Sequence, residues 1–197
     1  MTPVHILILA AGSSSRMRGA DKLMEPIADQ PLIAHLAQVA LATGCPVAVA
    51  LPAGGGPREA ALQGLPLTGL RVPRPEDGMA ASLTAGLAAL PRQAPVMLVL
   101  GDMPELTTAD LQAMLAAQIA HPGRILRAMG QDGTPGHPVL FPPWTRPDLA
   151  GLTGDQGARA VLARHAAEIT PVPLPGTHAT TDLDTPEDWA RWRAGRG

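Results

Sequence analysis

Residues 4–17, VHILILAAGSSSRM, combine a nearly continuous apolar run with a loop of small residues. The run from Val4 to Leu9 is rich in Val, Ile and Leu, which is typical of a strand buried on both faces of a parallel sheet. The loop from Leu9 to Met17 leaves the carboxyl end of this strand. Because ligands of open α/β sheets bind at that edge, the sequence predicts a binding site there.

Apolar strand segments alternate along the rest of the chain with segments of helical period. Further strands are expected at 47–51, 70–72, 96–100, 125–128, 138–141 and 169–174. Helices are expected at 31–42, 58–63, 79–90, 108–119, 155–165 and 185–194. The alternation predicts an α/β fold of three layers, Rossmann-like, with a mostly parallel central sheet. No linker divides the chain, so we expect a single domain over residues 1–197, with halves at about 1–104 and 105–197.

The composition is that of a globular protein with 46% hydrophobic and 16% charged residues. A net charge of -2 argues against nucleic acid as a partner. Cys45 is the only cysteine, which excludes an internal disulfide and a cysteine-based zinc cluster. The first apolar run lacks the basic start of an export signal, and no stretch reaches the roughly 18 apolar residues of a spanning helix. We therefore expect a cytoplasmic protein without a membrane partner.

Basic side chains follow the small residues of the opening loop. Small residues let backbone N–H groups approach phosphate oxygens, Arg16 can fork onto a phosphate, and Lys22 adds a compact positive charge. The pattern is not a Walker loop, a Rossmann glycine fingerprint or a Gly-x-Ser-x-Gly elbow. Taken alone, it fits a phosphate-binding loop and an ordinary turn with solvated basic residues about equally well.

Two further parts of the sequence carry carboxylates that could bind a metal ion. Asp102 directly follows the strand at 96–100, at the same sheet edge as the opening loop. It could hold Mg²⁺, which takes one or two carboxylates plus substrate phosphates, or it could be a turn residue. Helix initiation explains residues 185–188 but leaves Asp182 and Asp184 unexplained. One of these two could be a second metal ligand.

Six motifs occur in one order along the chain. They are Leu7 to Lys22, Gly78-Met79-Ala80-Ala81-Ser82-Leu83 with Gly86-Leu87, Gly101-Asp102-Met103-Pro104, Gly136-His137-Pro138-Val139-Leu140-Phe141, Gly154-Asp155-Gln156-Gly157-Ala158-Arg159 and Asp184-Thr185-Pro186-Glu187-Asp188. This order resembles the molybdenum cofactor nucleotidyltransferase family, particularly the molybdopterin cytidylyltransferases. The opening loop marks the wider nucleotidyltransferase superfamily, whereas the Gly-His-Pro and Gly-Asp-x-Gly-Ala-Arg segments narrow the resemblance to this group.

The resemblance implies a nucleotidyltransferase fold whose first half binds the nucleotide and whose second half faces the acceptor substrate. The catalytic residues would be Arg16 and Lys22 on the triphosphate and Asp102 on Mg²⁺, with Asp184 as a second metal-side carboxylate. The nucleotide-binding residues would be Leu9, Ala10, Ala11, Gly12, Ser13, Ser14, Gly78 and Ser82. The residues toward the pterin would be His137, Asp155 and Arg159.

The implied reaction transfers CMP from CTP to the terminal phosphate of molybdopterin and releases pyrophosphate. Family members that use GTP usually have Leu-Ala-Gly-Gly in the first loop, whereas this chain has Ala11 before Gly12. The methyl group of Ala11 reduces the room at the base and so favours CTP. Arg18 departs from the family pattern, which has glycine directly after Arg-Met.

Three alternatives remain open. The cytidylyltransferase of isoprenoid synthesis shares the first loop but lacks the two narrowing segments. Molybdopterin guanylyltransferase is disfavoured by Ala11. A non-catalytic carrier of the molybdenum cofactor would not need Asp102, Lys22 and Arg16 together. In each molybdenum case a molybdoenzyme or its chaperone would be the further partner.

Overall fold

The computed structural model describes residues 2–154 and 157–195. The strands are β1 (His5–Leu9), β2 (Pro26–Ile27), β3 (Gln30–Pro31), β4 (Val47–Pro52), β5 (Thr68–Val72), β6 (Val96–Leu100), β7 (Ile125–Met129), β8 (Pro135–Phe141) and β9 (Ile169–Pro173). The helices are α1 (Leu32–Leu41), α2 (Pro57–Ala61), α3 (Met79–Ala89), α4 (Thr108–Ala120), α5 (Arg146–Ala150), α6 (Arg159–Arg164) and α7 (Pro186–Ala194).

The central sheet has the strand order β5-β4-β1-β6-β8-β7-β9, and β2 and β3 form a separate hairpin. Within the sheet, β8 runs antiparallel to both of its neighbours, and the other neighbouring pairs are parallel. The prediction of a mostly parallel α/β sheet is therefore confirmed. The carboxyl ends of β1, β4 and β6 meet at one edge, because these three strands are parallel neighbours.

The apolar run that opens the sequence forms β1, and its alternate side chains face opposite layers. Ile6 and Ile8 belong to one buried cluster, together with side chains of α1 and α4. Leu7 points to the other cluster, where Leu83 of α3 packs. All three β1 side chains are fully buried. A strand covered on both faces requires apolar residues at consecutive positions, which explains the lack of polar alternation in the sequence.

The second half of the chain differs in detail from the prediction. The predicted helix at 155–165 begins later, at Arg159, because Gly157 has a φ of +52°, a left-handed conformation that helices do not use. Two predicted positions, Asp155 and Gln156, lie outside the described residues. The helix α5 and the β2–β3 hairpin were not predicted from the sequence, since both are too short to show a period.

No helix within residues 2–154 and 157–195 combines the length and apolar character needed to cross a membrane.

Candidate active site

A cleft of about 860 Å³ opens where β1, β4 and β6 end. Pockets of this size hold small ligands in other proteins. The predicted nucleotide-binding and catalytic residues that line it are Leu9, Ala10, Ala11, Gly12, Ser13, Lys22, Gly78, Ser82 and Asp102. Ser14 adjoins the same loop and takes part in its internal hydrogen bonds. Residues from three separate parts of the sequence therefore converge on one cavity.

Lys22 lies between two carboxylates beside this cleft. Its Nζ atom is 2.5 Å from Oδ2 of Asp102 and 2.7 Å from Oδ1 of Asp184. The other oxygen of Asp184 is 2.8 Å from Nη2 of Arg16. Burial alone would lower the pKa of Lys22, but the charges and hydrogen bonds of Asp102 and Asp184 outweigh burial and raise this pKa above its ordinary value. The four side chains thus form one chain of alternating charges.

The carboxylates of this cluster fit a divalent cation. Within the described residues, Oδ1 of Asp102 is buried and has no hydrogen-bond partner. Burial, followed by the charges of Asp102 and Asp184, raises the pKa of nearby Asp182. The described residues offer no group of three or more side chains arranged to hold a metal alone. Such a set suits Mg²⁺, which binds through one or two carboxylates and completes its shell with substrate phosphates and water.

Asp184 lies at the end of residues 175–184, which we call the C-terminal strap, and it contacts Lys22 beside the cleft without lining it. The N–H of Leu183 donates to the carbonyl of Asp102, so the strap and the end of β6 are joined next to both carboxylates. Upstream, the N–H of His137 donates to the carbonyl of Ala179. A Cβ atom on Gly136 would lie 1.8 Å from that carbonyl oxygen. Only glycine therefore allows the strap to cross β8 at this point.

Two acidic residues that follow β6, Glu105 and Asp110, hold the strap in place. Glu105 accepts hydrogen bonds from the hydroxyl groups of Thr177 and Thr181, at 2.6 and 3.0 Å. Nδ1 of His178 lies 2.8 Å from Oδ2 of Asp110, whose carboxylate also caps α4. These contacts fix the path of the strap and with it the position of Asp184.

The residues predicted to face the acceptor are only partly described. Asp155 lies outside the described residues, and Arg159 is exposed at the start of α6. His137 lies on β8, where its Nδ1 atom is buried and has no partner among the described residues. Burial and then the charge of Arg127 lower the pKa of His137 to about 4, while Asp102 acts in the opposite direction. Within the described part of the chain, neither His137 nor Arg159 lines the cleft itself.

Arg58 was not predicted from the sequence, and the structure places it against the opening loop. This side chain is buried beside the cleft and forms a two-point ion pair with Asp21. A basic residue in a short helix is ordinarily solvated, so its type alone carries no signal. The position of Arg58 in the sequence is a weak signal, because Arg58 comes shortly after three glycines at 54–56 that follow β4 at the same sheet edge.

A known protein family matches most of the chain. Residues 6–169 match the MobA-like NTP transferase domain. The chain belongs to this family. The match confirms the nucleotidyltransferase part of the resemblance seen in the sequence, whereas molybdopterin, CTP and the individual site residues remain predictions.

Individual relatives of this MobA-like domain extend the comparison. The bifunctional protein GlmU of Xanthomonas campestris pv. campestris (strain 8004) is 34% identical over 125 residues, which cover 62% of this chain and 27% of that protein. The chain thus spans less than a third of the length of the curated relatives that it matches. Rv0371c from Mycobacterium tuberculosis H37Rv superimposes with a TM-score of 0.83 at 27% identity, covering 96% of both chains. A structure of Rv0371c with manganese has a TM-score of 0.81 at 25% identity, covering 96% of this chain and 97% of that one.

The lowered pKa of His137 predicts that acid destabilises this MobA-like domain. In the unfolded chain His137 takes up a proton near pH 6.5, whereas in the folded chain it does so near pH 4. Between these values the unfolded state binds more protons, so stability falls as the pH falls. The loss amounts to about 3 kcal/mol of unfolding free energy between pH 6.5 and 4.

We expect His137→Gln to remove this component. Urea unfolding of both proteins at pH 7 and pH 4 measures it, and the variant should lose about 3 kcal/mol less than the wild type on acidification. Equal losses in the two proteins would show that His137 is not held neutral in the fold.

Proposed function

We propose that this domain is a Mg²⁺-dependent nucleotidyltransferase that transfers CMP from CTP to the terminal phosphate of molybdopterin. The observation that carries the proposal is the placement of Lys22 between Asp102 and Asp184, beside a cleft walled by the small-residue loop. Membership in the MobA-like family supports the reaction class. The manganese complex of Rv0371c supports a divalent metal.

The opening loop and its basic residues are suited to a triphosphate. Apart from Leu9, the loop residues that line the cleft are small, and the N–H groups of Ala11 and Ser13 make no backbone hydrogen bond within the described residues. Small residues let such N–H groups approach phosphate oxygens. The Arg16 side chain is 67% exposed, and within the described residues its one ion pair is with Asp184, which leaves its other donors able to turn toward a ligand. Lys22 supplies a half-buried positive charge that stays protonated at neutral pH. Both cations would stabilise the charge that develops on the leaving pyrophosphate.

The transfer itself needs alignment rather than a general base. An oxygen of the acceptor phosphate is already anionic, and it attacks the α-phosphorus of CTP to form a new P–O–P linkage. The bond from the α-phosphorus to the bridging oxygen breaks, and its electron pair leaves with pyrophosphate. Asp102 and Asp184 would hold Mg²⁺, which when bound supplies Lewis-acid polarisation of the phosphate oxygens. The protein residues then contribute positioning and charge neutralisation.

For the acceptor, we propose that His137, Asp155 and Arg159 face the pterin. The charges of Asp102 and Arg159 both act on His137. His137 itself would be neutral at pH 7, so an acceptor phosphate on this side would meet the positive charges of Arg127 and Arg159. Gly78 and Ser82 line the cleft at the start of α3, where we propose that they contact the base.

The nucleotide preference yields a prediction at Ala11. This residue is 3% exposed and lines the cleft, so its methyl group limits the space beside a bound base. We expect Ala11→Gly to raise kcat/KM for GTP relative to CTP by about tenfold, which is what one methyl-sized change in a pocket contributes. Steady-state kinetics with both nucleotides measure this ratio.

Ala20→Gly is the matched control, because Ala20 is exposed in the same loop region and should leave the ratio unchanged. A parallel fall with both nucleotides in Ala11→Gly would mean that the methyl group supports the loop and does not select the base.

A single assay tests the proposed function. The purified domain is incubated with Mg²⁺, molybdopterin and either CTP or GTP, and pyrophosphate release is measured together with the mass of the pterin product. We expect release with CTP and a product heavier by one CMP unit. Release with GTP alone would assign a guanylyltransferase instead. Pterin binding without release under either condition would support a carrier.

A further inference from the structure

We propose that Arg58 is a positioning residue that holds the opening loop in the shape that binds the triphosphate. The inference rests on the proposed function, because it assigns a role toward the same ligand. Arg58 is the second residue of α2, yet its side chain turns inward and only 8% of it is exposed. Among the described residues it is the one buried arginine or lysine.

Every donor of the Arg58 guanidinium has an acceptor. Nη1 donates to the carbonyls of Ala10 and Gly12, at 2.6 and 2.8 Å. Nη2 donates to Oγ of Ser14 at 3.1 Å and to Oδ1 of Asp21 at 2.7 Å, and Nε donates to Oδ2 of Asp21 at 2.6 Å. A guanidinium has five N–H donors, and these bonds use all of them. Arg58 therefore lines the cleft without a donor left for a ligand.

The two carbonyl contacts determine where the next amides point. In a trans peptide the C=O of one residue and the N–H of the next point in opposite directions. Because the carbonyls of Ala10 and Gly12 turn toward Arg58, the N–H groups of Ala11 and Ser13 turn away from it. Within the described residues, neither of these two amides donates to a backbone carbonyl. They are therefore available to an anion in the cleft, and their direction depends on Arg58.

Arg58 also contacts Ser14 and Asp21, which lie further along the loop. Ser14 has a φ of +52°, a conformation that non-glycine residues adopt at a cost, and its hydroxyl is bonded to both Arg58 and Asp21. Asp21 in turn accepts the N–H of Leu23 and caps the turn that carries Lys22. Burial would raise the pKa of Asp21, but Arg58 lowers it below its ordinary value, so the pair stays ionised. One arginine thus connects the amides of the loop to the position of Lys22.

The test compares Arg58→Gln and Arg58→Lys with the wild type in Mg²⁺-dependent CTP binding by calorimetry and in steady-state kinetics. We expect both variants to bind CTP about 100-fold more weakly, with the KM for the acceptor nearly unchanged. Lysine does not replace arginine here, because an ammonium has three donors and cannot span the fork. Arg71→Gln is the matched control, since Arg71 is exposed and pairs with Glu59 on the outer side of α2.

A rescue experiment separates positioning from general stability. In Arg58→Ala, added guanidinium ion at low concentration should restore part of the CTP affinity, whereas methylammonium should not. Thermal unfolding without nucleotide shows which variants are folded. Wild-type CTP affinity in any folded Arg58 variant would overturn the inference. Absence of CTP and GTP binding by the wild type would instead overturn the proposed function.

Discussion

Asp102→Asn should lower nucleotidyl transfer by about 10³-fold or more while leaving the protein folded. Asparagine has the same shape, so packing around the end of β6 is kept, and the backbone carbonyl that accepts the N–H of Leu183 is unchanged. The substitution removes the negative charge and converts Oδ1, which is buried without a partner among the described residues, into part of a neutral amide. A site that relies on this carboxylate to hold a cation should then fail in the chemical step.

Stability should change little in the same variant. Asp102 pairs with Lys22, but it also acts against the ionisation of nearby Asp182, so the two electrostatic effects partly cancel. Initial rates and a thermal melt measure both quantities. Asp29→Asn is the control, because Asp29 is an exposed residue in the turn between β2 and β3. A transfer rate within tenfold of the wild type would exclude Asp102 from the metal-binding role.

Lys22→Met should change turnover and metal binding in opposite directions. Methionine keeps a long unbranched side chain but removes the ammonium, so transfer should fall by about 10³-fold as the triphosphate loses a partner. Without nucleotide, however, Mn²⁺ should bind at least about tenfold more tightly, because the Lys22 ammonium no longer competes for Asp102 and Asp184. A purely structural role for Lys22 would not produce this gain.

The electron paramagnetic resonance signal of free Mn²⁺ measures the binding, and steady-state rates measure the transfer. Arg191→Met serves as the control, since Arg191 is an exposed residue that pairs with Asp188 on α7. Lys22 is the only lysine of the chain, so loss of this one ammonium is not masked by another lysine. Unchanged Mn²⁺ affinity in Lys22→Met would contradict the placement of the cation between these carboxylates.

The sheet edge could be predicted because its signals are local. Continuous apolar runs identify β1 and β6 as strands buried on both faces, and the residues directly after them must lie where the strands end. Asp102 and the opening loop therefore come together in any parallel arrangement of these two strands. The direction of β8 has no such local signal, because side-chain alternation is the same for parallel and antiparallel neighbours.

The remaining parts of the site depend on contacts between distant segments. Asp184 was singled out by its motif, but its position depends on Ala179 crossing Gly136 and on Glu105 binding the strap. Arg58 was missed because its acceptors lie 37 to 48 residues earlier in the chain. Neither the spacing of apolar residues nor the residue types indicate these long-range contacts, because the contacts form only when the sheet brings the loops together.

The central claim is that this cleft binds a nucleoside triphosphate together with a divalent metal. Isothermal titration of the wild-type protein with CTP, once with Mg²⁺ and once with excess EDTA, tests it most directly. The account predicts saturable binding of one CTP per chain with Mg²⁺ and a large loss of affinity in EDTA. Equal affinity in the two titrations, or no CTP binding with Mg²⁺, would contradict it.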